Sequence, residues 1–404
     1  MENKNIYIQN YWYVNNYGAC LTAYALYNIC TSLGFNTKLI DNSSQYQKIV
    51  FQFGAFFKKY CKSTKQIRSY NDLKEIDNEN NIYLIGSDQV LRPKFARNNL
   101  SRFLLEFANI KSKKIAMSAS FGIYENQFID EVSEKDIKRI ANDLRYFDSI
   151  SVREKSGTDI CKNQFNIDAQ CVIDPVFMIQ KTKYDELISN AKEEYKGKIV
   201  SYIIDRNENH KKAEEFLSEK YDLELVRFDE SGQPIENWLS AIKNCKFLIT
   251  NSFHGTCFAI LFNKPFICMA KEMCGSARFD SIFELLDINP ALVNKIDDIY
   301  TMECINYPNY VDVNKKIEFE TKKGCEFLKT AIDAQKTITE DCLTAKINAL
   351  ETLISEQEVE NKLENQIKKI LWEKWLIIYY KFLPKSIKQT ISYLWHLIRK
   401  TQKA

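Results

Sequence analysis

KFLITNSFHGTCFAILFNKPFICM, residues 246–269, carries a complete strand–turn–helix–strand unit. KFLIT is a short apolar run of the kind that forms a buried strand, and KPFICMA is a second. Between them, Asn251-Ser252 makes a turn of small polar residues and HGTCFAILF reads as a helix. A strand, a crossover helix and another strand in immediate succession argue for a parallel pair. The same rhythm extends in both directions. In the first half the strands are KNIYIQ, TKLID, NIYLIGSDQV, KKIAMSAS and FDSISVRE, and CVIDPVFM closes it where Pro175 ends the regular structure. In the second half KIVSYIID and LELVRF precede KFLIT and KPFICMA. Helices fall between. One follows the NNYGA loop, with Leu21, Ala25, Leu26, Ile29 and Leu33 at helical spacing and Gly34 at the C-cap position. Others are DEVSEKDIKRIANDL, residues 209–220 and IENWLSAIKN. Residues 42–80 are polar, aromatic and irregular, a helical excursion without a definite place.

The expected fold is therefore α/β, with two Rossmann-like domains facing across a cleft: residues 1–178, then 179–314. The alternation stops near residue 315, and 315–404 read as a helical extension. A length of 404 residues suits two domains better than one core. The hydrophobic fraction of 45% and charged fraction of 27% are those of an ordinary globular protein, and a net charge of +3 gives no reason to expect a nucleic-acid partner. MENKNIYIQNYWYV carries charge and amides where a signal peptide needs an apolar core, so a cytoplasmic location is expected. The twelve cysteines form no CxxC pair and read as buried thiols; no metal site is expected.

Ligands of such sheets bind beyond the carboxyl ends of the strands. Four polar turns fall there: Asn16-Tyr17-Gly18, Gly86-Ser87-Asp88, Arg153-Glu154 and Ser252-Phe253-His254-Gly255. His254 is one of three histidines in the chain. It is either a silent residue at the start of a helix or a general acid beside an anion held by free backbone N–H groups. Arg153 is either a surface ion-pair partner of Glu154, a solvated arginine, or a fork gripping a carboxylate or phosphate. Asp88 can equally hold its own turn, and Gly18 would let the backbone approach a ligand. Tyr11, Trp12, Tyr13 and Tyr17 either stack on a sugar or belong to the core. Dinucleotide, nucleophile-elbow and P-loop glycine motifs are absent.

NNYGACLTAYAL, GSDQVLRP, ISVREKSG, VIDPV and TNSFHGTCFAILFNKPF, in this order, resemble the polysaccharide pyruvyl transferase family. The resemblance spans residues 10–270. It implies a two-domain fold similar to GT-B glycosyltransferases and transfer of the enolpyruvyl unit of phosphoenolpyruvate onto two sugar hydroxyls, giving a pyruvate ketal and phosphate. It implies no metal and no cofactor besides the donor substrate. By the same resemblance His254 is the acid and Arg153 a donor ligand. The turn residues Ser252, Phe253 and Gly255 and Arg278 are further donor-side candidates, and the other strand-end turns offer Asn16, Tyr17, Gly18, Ser87 and Asp88 as cleft or acceptor candidates. The chain departs from the family where better-studied members have an arginine two residues before the histidine, because Ser252 stands there. Arg278 and Lys271 are the candidate replacements. A nucleotide-sugar glycosyltransferase of the same architecture and a non-catalytic glycan-binding relative are the competing readings.

The last stretch, residues 362–404, holds ten Lys and Arg against Glu364 and Glu373. Leu371, Trp372, Trp375, Leu376, Tyr379, Phe382 and Leu383 form one apolar stripe. Pro384 breaks the segment, and Ile387, Ile391, Leu394, Trp395 and Ile398 form another. WLIIYY is too short to span a bilayer. The stripes suit either an interfacial contact at the inner face of the cell membrane, where a lipid-linked acceptor would lie, or packing on the protein itself.

Overall fold

The computed structural model describes residues 4–43, 51–189, 191, 194–229, 233–269, 276–289, 291–292, 296–305 and 307–336. Lys271 and the basic segment 362–404 lie outside the described residues. Among the described residues the first sheet has seven strands: β1 (Asn5–Gln9), β2 (Asn36–Asp41), β3 (Ser63–Gln66), β4 (Ile82–Ile85), β5 (Lys113–Ala119), β6 (Ser149–Val152) and β7 (Gln170–Cys171). They run parallel in the order β3-β2-β1-β4-β5-β6-β7. Their helices are α1 (Tyr17–Ser32), α2 (Phe51–Tyr60), α3 (Tyr70–Ile76), α4 (Pro93–Ala96), α5 (Leu100–Phe103), α6 (Glu125–Glu131), α7 (Glu134–Leu144) and α8 (Lys155–Phe165). The second sheet has β8 (Ile199–Tyr202), β9 (Leu225–Phe228), β10 (Phe247–Thr250), β11 (Phe266–Cys268) and β12 (Ala291–Leu292), parallel in the order β12-β11-β10-β8-β9. With it go α9 (Lys181–Ile188), α10 (Glu208–Tyr221), α11 (Ile235–Asn244), α12 (Phe253–Leu261), α13 (Ala277–Leu286), α14 (Asp298–Thr301) and α15 (Tyr310–Asp333).

The strand order reverses between β1 and β4 in one sheet and between β8 and β10 in the other, the positions where doubly wound sheets open a crevice. Central strands are covered on both faces, which explains their continuous apolar runs: every residue of β4, β8 and β10 is buried. In β5 even Lys113 and Lys114 are buried, and Lys114 Nζ is satisfied by the Leu105 carbonyl at 3.2 Å.

Two local readings differ from the sequence. Residues 42–80 are not only a helical excursion: among the described residues they supply α2, the edge strand β3 and α3. The stretch DEVSEKDIKRIANDL is two helices, because Ser133 caps α7 by accepting from the Asp136 N–H at 3.1 Å.

The sheets share one core. Tyr17 of α1 stacks on Trp238 of α11, ring centroids 5.1 Å apart and planes 4° from parallel, and both belong to a cluster with Tyr202 and Phe258. Helix α15 adds Ile317, Leu328, Ala331 and Ile332 to that cluster, and Thr321 bonds the Phe177 carbonyl at 3.0 Å. The chain thus returns to the first sheet after completing the second.

Candidate functional site

The turn after β10 is fixed before it presents any chemistry. Asn251 bonds both the N–H and the carbonyl of Ile204, at 2.8 and 2.9 Å, tying the turn to the end of β8. Ser252 caps α12, its hydroxyl accepting from the Gly255 N–H at 3.2 Å. A Cβ at position 255 would stand 2.6 Å from Thr250 Oγ1, so only glycine lets the helix start this close to the strand. The result aims His254 away from its own sheet, toward α1. There its Nε2 lies 3.0 Å from the Thr22 hydroxyl. The ring packs closely against Gly18, where an added Cβ would sit 2.1 Å from Nδ1.

Strand ends of the first sheet complete the cluster. Arg153, just past β6, is buried, and its Nη1 donates to Asp174 Oδ2 at 2.8 Å and to Ser87 Oγ at 3.0 Å. The same nitrogen lies 3.4 Å from His254 Nε2. Ser87 also donates to Asp174 Oδ2, at 2.6 Å, and His254 Nε2 stands 3.5 Å from that oxygen. The other Arg153 nitrogens are uncommitted: Nη2 is 3.6 Å from Asp88 and Nε 3.9 Å from Glu154, and neither makes a hydrogen bond. Glu154 spends its Oε1 on the N–H groups of Phe121 and Gly122, at 2.7 and 3.0 Å. Two guanidiniums lie over the Phe253 ring, Arg153 at 4.5 Å and Arg278 of α13 at 5.5 Å from its centroid.

The charges explain each other. Burial alone would lower the Arg153 guanidinium, and Asp174, Asp88 and Glu154 more than reverse it. Burial alone would raise the Asp174 carboxyl, yet His254, Arg153 and the Ser87 hydroxyl hold it well below the usual carboxylate range. Desolvation, then repulsion from Arg153, lowers the half-buried Arg278 to about 10.

Of the residues singled out in the sequence, His254, Arg153, Ser87, Asp88, Phe253, Arg278 and Gly18 come together. Arg153 is neither a surface residue nor solvated, and Glu154 is a distant partner compared with Asp174. Asp88 partly holds its own turn, accepting from the Gln89 N–H at 2.8 Å with a backbone φ of 109°. Asn16 caps α1, accepting from the Ala19 N–H at 3.0 Å. Tyr17 offers no face to a ligand: it is fully buried against Trp238, and its hydroxyl donates to the Gln233 carbonyl. Trp12 and Tyr13 are buried as well. Sequence reasoning missed Asp174 and Thr22 as site residues. For Asp174 a signal was present, a carboxylate between an apolar run and Pro175 at a domain's closing strand. For Thr22, one turn along α1 from Gly18, nothing in the sequence stood out.

The sequence pattern of the family described as polysaccharide pyruvyl transferase matches residues 16–271. The chain belongs to that family. The matched range takes in every member of the cluster from Gly18 to His254 and ends before Arg278. No curated protein sequence matches the chain significantly. Solved structures share the fold, parallel sheets covered by helices in two Rossmann-like halves. MnaA of S. aureus, solved with UDP, matches with a TM-score of 0.51 at 12% identity, over 83% of this chain and 99% of that one. UDP-GlcNAc 2-epimerase of Neisseria meningitidis, bound to UDP-GlcNAc, matches at 9% identity over 87% and 100%, TM-score 0.45. The wall teichoic acid polymerase TagF matches at 10% identity over 89% and 91%, TM-score 0.43. Among the described residues no helix is long and apolar enough to cross a membrane, and no cluster of His, Cys, Asp and Glu could hold a metal.

Proposed function

We propose that this pyruvyl transferase relative moves the enolpyruvyl unit of phosphoenolpyruvate onto two hydroxyls of one sugar, in a cell-surface polysaccharide or its lipid-linked precursor. The observation that carries the reading is His254, held at the start of α12 within 3.4 Å of a buried arginine whose Nε and Nη2 have no hydrogen-bond partner. In this reading His254 delivers a proton to the methylene carbon of the donor, which becomes a methyl group. The adjacent carbon turns electrophilic and the first hydroxyl adds to it. Phosphate leaves, and the second hydroxyl closes the ketal. Of the two hydroxyl protons released, one restores His254 and the other leaves with phosphate. Arg153 and Arg278 supply positive charge for the donor's carboxylate and phosphate. The basic segment 362–404 would bring the enzyme to anionic membrane where a lipid-linked acceptor lies, and co-sedimentation with anionic liposomes, lost on truncation near residue 361, tests that part.

The test of the reaction is phosphate release from phosphoenolpyruvate with candidate acceptors, alongside direct binding. The donor should bind in the millimolar range or tighter, about −4 kcal/mol or better. His254→Gln should cut turnover by ~10²–10⁴-fold, because an amide cannot deliver the proton. The second reading, a nucleotide-sugar transferase, draws support from the fold shared with UDP-bound MnaA. Tight binding of a nucleoside diphosphate and none of phosphoenolpyruvate would establish it instead.

A further inference from the structure

We infer that Asp174 is a positioning residue that opposes the Arg153 charge at His254 and holds Arg153 in register with the ring, through the single oxygen Oδ2 that the two share. The inference rests on the reading of His254 as the proton donor. Asp174 is itself immobilised. Its Oδ1 accepts from the Val176 N–H at 3.1 Å, and Pro175 restricts the backbone between them. Its Oδ2 is then left facing Ser87 at 2.6 Å, Arg153 at 2.8 Å and His254 at 3.5 Å.

The ring's hydrogen bonding follows from Thr22. That hydroxyl donates to the Gly18 carbonyl at 2.9 Å, so toward His254 it presents a lone pair. Nε2 therefore carries hydrogen and faces two acceptors, Thr22 Oγ1 and Asp174 Oδ2. Nδ1 is pressed against Gly18. The guanidinium of Arg153, 3.4 Å from Nε2, opposes a positive ring, and Asp174 opposes Arg153. The remaining charges act at longer range: Asp88 and Glu154 face Arg153, and Arg278 lies over the Phe253 ring. Tyr184 and Cys257 feel the Asp174 charge, but burial pushes both up and keeps them neutral. Among the described residues Asp174 is the only carboxylate within ion-pair distance of His254.

The chain has three histidines, so ring-labelled histidine can be titrated by NMR and the His254 signal assigned with His254→Gln. In Asp174→Asn the proton affinity of the ring should fall by about tenfold or more, the scale of removing one adjacent charge. Ser87→Ala should move it the other way, because Oδ2 loses a competing donor and turns more fully to His254. A merely structural role gives no such opposed pair of shifts. Where turnover is measurable, the alkaline limb of the kcat profile should move down in Asp174→Asn. An unchanged His254 titration in Asp174→Asn overturns the inference. Should that variant not fold, an unchanged titration in Ser87→Ala does so alone. The NMR result needs no turnover: a wild-type protein that ignores phosphoenolpyruvate yet shows both shifts would sink the proposed reaction and leave the Asp174–His254 pair standing.

Discussion

Gly18→Ala isolates the seating of His254 from every charge in the site. The added methyl would stand 2.1 Å from Nδ1, 2.3 Å from Cγ and 2.5 Å from Cβ of His254. Those atoms are the root of the ring and cannot swing away as the end of a long side chain can. Ordinary contact begins near 3.4 Å, so ring and helix must separate by about 1.3 Å. The Thr22 contact on Nε2, 3.0 Å long, cannot survive a shift of that size. A misplacement of about 1 Å at a reacting group costs ~10²-fold in rate. Stability should change far less. Overpacking costs ~1–3 kcal/mol, and replacing a helical glycine by alanine returns up to ~1 kcal/mol. The net loss is small against the ~5–15 kcal/mol of a folded domain. The expected result is a folded protein whose kcat for phosphate release from phosphoenolpyruvate is down ~10²-fold, with its melting temperature little changed. A folded Gly18→Ala variant with kcat within twofold of wild type would refute the reasoning. His254→Gln then says where it failed: an active glutamine variant removes the acid assignment, and an inactive one removes only the seating on Gly18.

Three other perturbations follow from the same geometry. Arg153→Lys keeps a cation but loses the paired bonds to Asp174 and Ser87, so KM for phosphoenolpyruvate should rise; the melting temperature should fall too, since a hydrogen bond to a buried charge is worth ~1.5–3 kcal/mol. An unchanged melting temperature would mean the buried pair is not formed. Ser252→Arg removes the α12 cap, worth ~1 kcal/mol, and brings a third guanidinium beside Arg153 and Arg278, so activity and stability should both drop; tighter donor binding would show instead that the site lacked a cation. Asp174 has a folded pKa below its unfolded value of ~3.9, so its contribution to stability is full above about pH 5 and is lost as the pH falls below about 4. Urea midpoints should therefore decline on acidification in wild type and more shallowly in Asp174→Asn, and parallel curves would remove Asp174 from the acid response.

The sequence announced the sheets because parallel strands buried on both faces leave long apolar runs that periodicity detects, as in β4, β5, β8 and β10. It hid β3 and β12 because they are short edge strands; in β3, Ser63, Lys65 and Gln66 are exposed and carry no apolar signal. At the site, His254 and Arg153 were legible as rare or forked groups at strand ends. Thr22 was not, and Asp174 showed only as a carboxylate before Pro175 with no partner, because their roles come from which side chains meet across two sheets, and that depends on the docking of α1 against α12. For Tyr17 the sequence left two places open, a sugar platform or the core, and the stack on Trp238 of α11 decides for the core.

The proposed anion site lies among three carboxylates, which looks self-defeating, and the division of labour on Arg153 resolves it. A guanidinium removed from water must be paired, or burial would cost several kcal/mol. Asp174 and Ser87 meet that need through Nη1 alone. Asp88 and Glu154 lower the cost further by charge, without hydrogen bonds, at 3.6 and 3.9 Å. Nη2 and Nε thus remain as preorganised donors, held in place by bonds they do not themselves make. Asp88 is the weaker restraint of the two, since its carboxylate is partly exposed and its backbone sits at a φ that non-glycine residues adopt at a cost. A ligand carrying a carboxylate and a phosphate would compete with Asp88 for Nη2 and leave the Asp174 anchor intact. On this argument Asp88→Asn should tighten binding of phosphoenolpyruvate, while Asp174→Asn should weaken it, and equal effects from the two variants would show that Arg153 does not divide its nitrogens in this way.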